Sequence, residues 1–326
     1  MPDNCTLGIL SDVHYASAAE QARGRDYEYR SLKNPLLRVL LRGYRHFVWL
    51  REPMKHNQLV EKFIKRGKIF DHVIANGDYS CDSGFCGLSD DPSLQSAQEC
   101  LGQLREAFGA RFHATIGDHE LGKLSLIGRQ GGMRLESWRR TVNEIGLKPF
   151  WRLDLGRYVL VGVTSSLIAL PVMMDEIRPE ERKDWERLRE EHMTEIRFLF
   201  RRLETDRRVL LFCHDPTALP FLWDQPEIQS RVSQIEQTIV GHLHSNLILW
   251  KSRLLAGMPR ITFLGHSARK FSQALKQAKY WRPFKVRLCP SLAGIELLKD
   301  GGYLTATLDL HGDTPAKFEF HSLPRN

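Results

Sequence analysis

Five short apolar runs in this chain end alike, each breaking off into aspartate or histidine. The first, Leu7-Gly8-Ile9-Leu10, runs through Ser11 into Asp12-Val13-His14. A second, residues 68–75, stops at Asn76-Gly77-Asp78, and a third, residues 111–116, at Gly117-Asp118-His119-Glu120. Residues 209–213 lead into His214, and residues 238–240 into Gly241-His242-Leu243-His244. Short apolar runs bounded by turn residues read as buried strands. In extended backbone, residues i and i+2 point to the same side, so Asp12 and His14 converge where their strand stops. A carboxylate beside an imidazole is a chelate for a divalent cation. One such pair is weak evidence, because a capping aspartate or a satisfied core histidine explains it as well. Five strand ends of this kind in one chain are much harder to explain that way.

The stretches between these runs carry helical signals. Asn34-Pro35 has the form of an N-cap followed by proline at the first helical position. Beyond it Leu37, Leu40, Leu41, Tyr44 and Val48 recur at helical spacing, with Arg38, Arg42 and Arg45 on another face. Helices are also expected over residues 57–66, 92–108, 135–145, 180–203 and near 226–234. Residues 151–155 and 158–164 form strands joined by a Gly156-Arg157 turn, and further strands are expected at 247–255, 260–264, 293–298, 304–310 and 316–320. Residues 16–33, 81–91 and 165–179 read as loops, the last with an apolar patch at 167–174. Strands alternating with helices, then a strand-rich end, predict an α/β sandwich of sheets with helices outside. Sites in such folds form beyond the carboxyl ends of strands. No internal repeat or linker composition divides residues 1–326, which read as a single domain. Within it, residues 16–66 form an insertion carrying the basic amphipathic helix, and 268–287 a basic aromatic segment.

Charge is distributed unevenly. The chain carries +8 overall, yet residues 33–55 hold a net +5 and residues 268–287 a net +7, so the remainder is negative. Local basicity points to an anionic surface or substrate at those two places. No apolar run approaches the roughly 20 residues needed to cross a bilayer. The first residues show no basic region, apolar core or cleavage site, so the expectation is a reducing cytoplasm. The six cysteines are scattered, and Cys81 and Cys86 lack a second pair for a zinc site, so they read as packing or loop residues.

The order and wording of the five strand ends resemble the calcineurin-like metallophosphoesterase superfamily. Its pattern is D-x-H, G-D, G-N-H-[ED], a lone histidine, then G-H-x-H. The resemblance runs from residue 7 to about 265. It implies a metallophosphoesterase-type β-sandwich flanked by helices (four αββα layers) with a basic amphipathic insertion after the first motif. It also implies two divalent ions. One would take Asp12, His14, Asp78 and His244, the other Asp78, Asp118, His214 and His242, with Asp78 bridging. Mixed carboxylate and imidazole ligands suit manganese, iron or zinc. His119 would be the catalytic residue, contacting the phosphoryl group or protonating the leaving oxygen, and Glu120 would orient a histidine. One departure stands out: the family usually has asparagine where this chain has Asp118. The added charge should tighten metal binding and repel an anionic substrate. The D-R-G triplet of the Ser/Thr protein phosphatases is also missing after Asp78, which argues against a phosphoprotein substrate.

Basic amphipathic stretches interleaved with aromatics suit the headgroup region of an anionic membrane. Expected contacts are Arg38, Arg42, Arg45, Trp49, Arg269, Lys270 and Trp281. An insertion between the first two motifs resembles that of bacterial UDP-2,3-diacylglucosamine pyrophosphatases, which act at the cytoplasmic membrane face in lipid A synthesis. The resemblance implies a nucleotide-lipid substrate, release of UMP, and residues 167–174 lining an acyl cleft. It places the protein in the cytoplasm, peripheral on the inner membrane, with no obligate protein partner. Two other classes stay open: a soluble nucleotide phosphodiesterase or nuclease, and a non-catalytic binding module on the same fold. Nucleic acid is less favoured, because the first basic segment is rich in aliphatic residues, and a binding module would be expected to show eroded ligands.

Overall fold

Two five-stranded sheets face one another. The computed structural model describes residues 3–24, 27, 32–81, 84–124, 130–259, 272 and 274–325. The first sheet contains β1 (Asn4–Leu10), β2 (His72–Asn76) and β3 (Phe112–Thr115) in parallel. The second contains β4 (Phe150–Leu155) antiparallel to β5 (Tyr158–Val163), then β6 (Arg208–Cys213), β7 (Ile235–Val240) and β8 (Val286–Leu288), parallel from β5 onward. Antiparallel β9 (Gly302–Asp309) and β10 (Lys317–Ser322) complete the first sheet, giving β10-β9-β1-β2-β3 against β4-β5-β6-β7-β8.

Each strand's two-residue period divides its side chains between two interfaces. In β6, Leu210 and Phe212 join Leu7, Ile9, Ile74, Leu160 and Ile239 between the sheets. The alternate residues Val209, Leu211 and Cys213 pack against Met193, Ile196 and Phe200 of the helix Arg182–Arg202. On the other side, Leu10, Val73 and Ala75 meet the helices Gln58–Gly67 and Asp91–Phe108. The layers are therefore helix, sheet, sheet, helix, as expected.

The structure corrects several local expectations. Residues 247–255 are not a strand: Ser245 caps the helix Asn246–Leu254, its hydroxyl accepting from the Leu247 N–H. A short apolar run does not separate strand from helix by periodicity, and the cap decides. Residues 293–298 do not form a strand either, and Glu296 and Leu297 donate instead to the Trp49 and Val48 carbonyls. Residues 16–33 are not all loop, since Ala18–Arg23 is helical. The 167–174 patch, within residues 165–179, is not an exposed cleft wall. It folds into helices Ser165–Ile168 and Leu170–Met173, which bury Leu167, Ile168, Leu170 and Met173 in the core. At the end of 268–287 begins β8, a strand too short for the charge pattern to reveal. It buries Val286 and Leu288 and leaves Arg287 exposed, a charged edge of the kind that resists further pairing. Trp281 is buried with Phe284 in the second core, so it cannot touch a membrane. Arg269, Lys270 and the expected strand at 260–264 lie outside the described residues.

No helix among the described residues is long and apolar enough to cross a membrane. Cys5, Cys100, Cys213 and Cys289 are buried free thiols, and Cys81 is buried as well, in keeping with packing roles.

One buried histidine makes the fold sensitive to acid. His192 Nε2 accepts the Thr164 N–H at 3.1 Å, and its Nδ1 has no hydrogen-bond partner. Burial pushes the imidazole down to about 3. The unfolded chain therefore takes up this proton first, at its ordinary value of 6.5. The stability His192 protects is complete above that pH and is lost progressively as pH falls toward 3. Urea midpoints of wild type and His192→Gln between pH 7 and 5 measure this: the wild type should lose stability more steeply.

Candidate metal centre

The five strand ends meet at one edge of the sandwich, where the chain abandons extended geometry. Asp12, His14, Asp78, His242 and His244 all have positive φ, from 48° to 60°. Among the described non-glycine residues only Lys285 and Lys299 share that region. Left-handed conformations are strained for such residues, and strain of this kind collects at functional sites. Glycine fills the neighbouring positions for a steric reason. A Cβ on Gly117 would strike Asp78, and one on Gly241 would strike Ser11 and Asp12.

The side chains gather into three overlapping groups whose ligand atoms lie within 4.8 Å of one another: Asp12, His14 and His244; Asp78, Asp118, His214 and His242; and His14, Asp78 and His119. His244 Nε2 lies 3.1 Å from Asp12 Oδ1 and 3.3 Å from His14 Nε2. His214 Nε2 lies 3.1 Å from both Asp78 Oδ2 and Asp118 Oδ1. His242 Nδ1 is 3.1 Å from Asp118 Oδ1. Asp78 belongs with residues of both clusters, the place that a bridging ligand needs.

Hydrogen bonds orient the donors. Ser11 Oγ and the His242 N–H occupy Asp12 Oδ2, and the His119 N–H occupies Asp78 Oδ1. Asp12 Oδ1 and Asp78 Oδ2 are buried with no hydrogen-bond partner, a costly arrangement unless a cation takes them up. His14 Nδ1 and His214 Nδ1 face the Ser80 and Asn76 carbonyls at 3.3 and 2.6 Å. A carbonyl only accepts, so these nitrogens carry protons and Nε2 is the atom each ring turns toward the cluster. The donor set thus fits two divalent ions.

The electrostatics agree. Burial would raise the Asp12 carboxyl, but His244 and His214 bring it down to about 2. Burial likewise works against ionised Asp118, which Lys123 and His242 nevertheless hold well below the usual range. Burial would discharge His214, yet Asp78 and Asp12 raise it well above its ordinary value. Against the same penalty, Asp118 and Asp215 raise His242 to about 9. Three carboxylates ionised in a dry site draw positive charge from whatever is near.

Two residues take unexpected roles. Glu120 orients no histidine. Its carboxylate accepts from the backbone N–H groups of Gly117, Asp78 and Tyr79 at 2.8, 3.1 and 2.9 Å, fixing two motif loops together. Burial, then Asp78, raise it to about 7. Trp49 reaches the centre itself, its ring 4.6 Å from that of His244. Sequence reasoning missed Lys123, whose ammonium lies 3.0 Å from Asp118 Oδ2. It follows Gly122 in a glycine-containing stretch with no periodicity to single it out.

The other expected contacts divide. Arg42 is exposed, Arg38 donates to the Leu32 carbonyl at 2.6 Å, and Arg45 is buried, which removes it from any membrane contact. His119 groups with His14 and Asp78, its ring 4.7 Å from that of His14: Nδ1 is 2.8 Å from the Cys81 carbonyl, and Nε2 faces Asp78 Oδ2 at 3.7 Å.

The family model for calcineurin-like phosphoesterases matches residues 6–246. No curated protein matches the chain. Among solved structures, a predicted phosphoesterase from Streptococcus pneumoniae is 10% identical, with 99% of this chain and 91% of that one covered and a TM-score of 0.34. A purple acid phosphatase from yellow lupin is 12% identical over 75% of this chain and 38% of its own, at a TM-score of 0.40. Phosphopantetheinyl hydrolase from Mycobacterium tuberculosis is 16% identical over 75% and 84%, at a TM-score of 0.35.

Metal analysis of variants tests the residue roles. Wild type dialysed against manganese should retain about two ions per chain. Asp78→Asn should drop below about one, because both sites lose a ligand. His119→Ala should keep nearly all its metal while turnover falls by about a hundredfold or more; equal loss of both would contradict its assigned role.

Proposed function

Because this chain belongs to the calcineurin-like phosphoesterase family, we propose that it cleaves a nucleotide-lipid pyrophosphate of the UDP-2,3-diacylglucosamine type at a membrane face. Metal-dependent phosphoester hydrolysis follows from the family; the lipid substrate, the membrane and manganese as the ion are our reading. The observation that carries it is the helix Pro35–Phe47, which turns its apolar residues outward. Leu36 and Phe47 are 68% and 67% exposed, and Val39, Leu40 and Tyr44 are exposed beside them. Such a surface is unusual on a monomer and suits acyl chains, with the exposed Arg42 set for phosphate headgroups. The helix connects directly to the metal centre: Tyr44 stacks near Trp49 at 6.4 Å, and Trp49 packs on His244. An apolar surface and a phosphate site are thereby brought side by side, as a substrate with both kinds of group requires.

Two divalent ions held by Asp12, His14, Asp78, Asp118, His214, His242 and His244 would supply Lewis acidity toward the phosphoryl oxygens and would lower the pKa of water to near neutrality. The protein's own part is positional. The Cys81 carbonyl keeps a proton on His119 Nδ1, so Nε2 faces the cleft. Burial holds the imidazole below its ordinary value although Asp78 works the other way, so the second proton must arrive with the reaction. With that proton, Nε2 becomes a donor to the leaving oxygen. In the overall reaction a water oxygen bonds to phosphorus and the bridging P–O bond breaks, giving UMP and an acylated sugar phosphate.

Incubating the manganese-loaded protein with UDP-2,3-diacylglucosamine and resolving products by mass spectrometry tests the reading. Release of UMP and the acylated sugar phosphate supports it, and an intact lipid overturns it. Cleavage of a soluble nucleotide diester or of DNA instead would support the phosphodiesterase or nuclease alternative. Leu40→Glu and Phe47→Glu should cut turnover in anionic vesicles by about tenfold through lost apolar contact. Both should leave hydrolysis of bis(4-nitrophenyl) phosphate unchanged.

A further inference from the structure

Asp118 divides its two oxygens between two kinds of positive charge. Oδ1 lies in the ligand cluster, 3.1 Å from His214 Nε2 and His242 Nδ1. Oδ2 lies 3.0 Å from the Lys123 ammonium. The backbone around Lys123 is fixed from both sides. The Gly122 N–H donates to the Asp118 carbonyl at 2.9 Å, and the Leu124 N–H to Glu176 Oε2 at 2.9 Å. Its side chain is 33% exposed against 5% for Asp118, so the ammonium sits at the rim of the centre. From there its charge reaches both His119 and His242.

The charge balance shows what this cation does. Two divalent ions among Asp12, Asp78 and Asp118 would leave a single net positive charge to receive an anionic phosphate ester. Lys123 restores the charge that the third carboxylate removes. A carboxylate also has two oxygens to offer a metal, and the ammonium occupies one. We propose that Lys123 is a charge-compensating, positioning residue of the second metal site. It confines Asp118 to one oxygen toward the ion and keeps the cleft positive for its substrate. The inference rests on the two-metal phosphoesterase reading, and not on the identity of the lipid.

A double-mutant cycle over Lys123→Met, Asp118→Asn and both together, with Lys123→Arg as the conservative variant, tests it. The primary readout is the dissociation constant of the second Mn2+, followed from free-ion electron paramagnetic resonance. Lys123→Met should tighten that ion by about five- to tenfold, because an opposing charge is removed from beside its ligand. The KM for bis(4-nitrophenyl) phosphate should rise by a similar factor, with kcat moving less. Lys123→Arg should recover most of both effects. In the Asp118→Asn background, Lys123→Met should shift either quantity by less than about twofold. Equal effects in the two backgrounds, or an unchanged second constant, would overturn the proposal. So would a wild type that binds only one ion. A protein that binds two ions yet cleaves no phosphate ester would sink the proposed function, while the Mn2+ cycle would still decide the role of Lys123.

Discussion

Three buried carboxylates at one edge of the sandwich set the terms for everything around them. Asp12, Asp78 and Asp118 are all buried, and burying an ionised carboxylate without compensation costs several kcal/mol. The chain meets that cost with four histidines, Lys123 and a set of backbone donors. Two carboxylate oxygens still lack a hydrogen-bond partner, Asp12 Oδ1 and Asp78 Oδ2. Both belong to ligand groups. A divalent pair would satisfy this arrangement, as membership of the phosphoesterase family leads one to expect.

The fold delivers these groups by stopping its strands. Each parallel strand is held in register by its neighbours up to its last residue, then turns within one or two residues. Five of the ligands pass through left-handed backbone at those turns, at a cost of the order of 1 kcal/mol or more each. The surrounding hydrogen bonds hold them there. Glu120 ties the second motif to the third, the Gly241 N–H donates to the His214 carbonyl at 2.9 Å, and the Asp12 N–H to the Gly77 carbonyl at 3.1 Å. The motif loops therefore support one another, and none is positioned by its own strand alone.

Most of the metal centre is legible in the sequence, because its ligand residues follow apolar runs directly and local pattern places them at strand ends. What local pattern cannot convey is which face meets what. The arginines of the helix Pro35–Phe47 read as its solvent side, yet Arg45 turns inward while Leu36 and Phe47 turn outward. Residues 247–255 carry an apolar run that strand and helix share, and the Ser245 cap tips the balance. The patch at 167–174 reads as exposed because it lies between regular elements, but two short helices plug it into the core. Glu120 and Lys123 act on groups brought close by tertiary folding, with no periodic signal to mark them. Trp49 likewise meets His244 across 195 residues of sequence.

A pair of ions joined through Asp78 should be visible in anomalous diffraction from manganese-soaked crystals, as two manganese peaks about 3.5–4 Å apart. One should lie among Asp12, His14 and His244, the other among Asp118, His214 and His242, with Asp78 touching both. A single peak, or two peaks sharing no ligand, would contradict it.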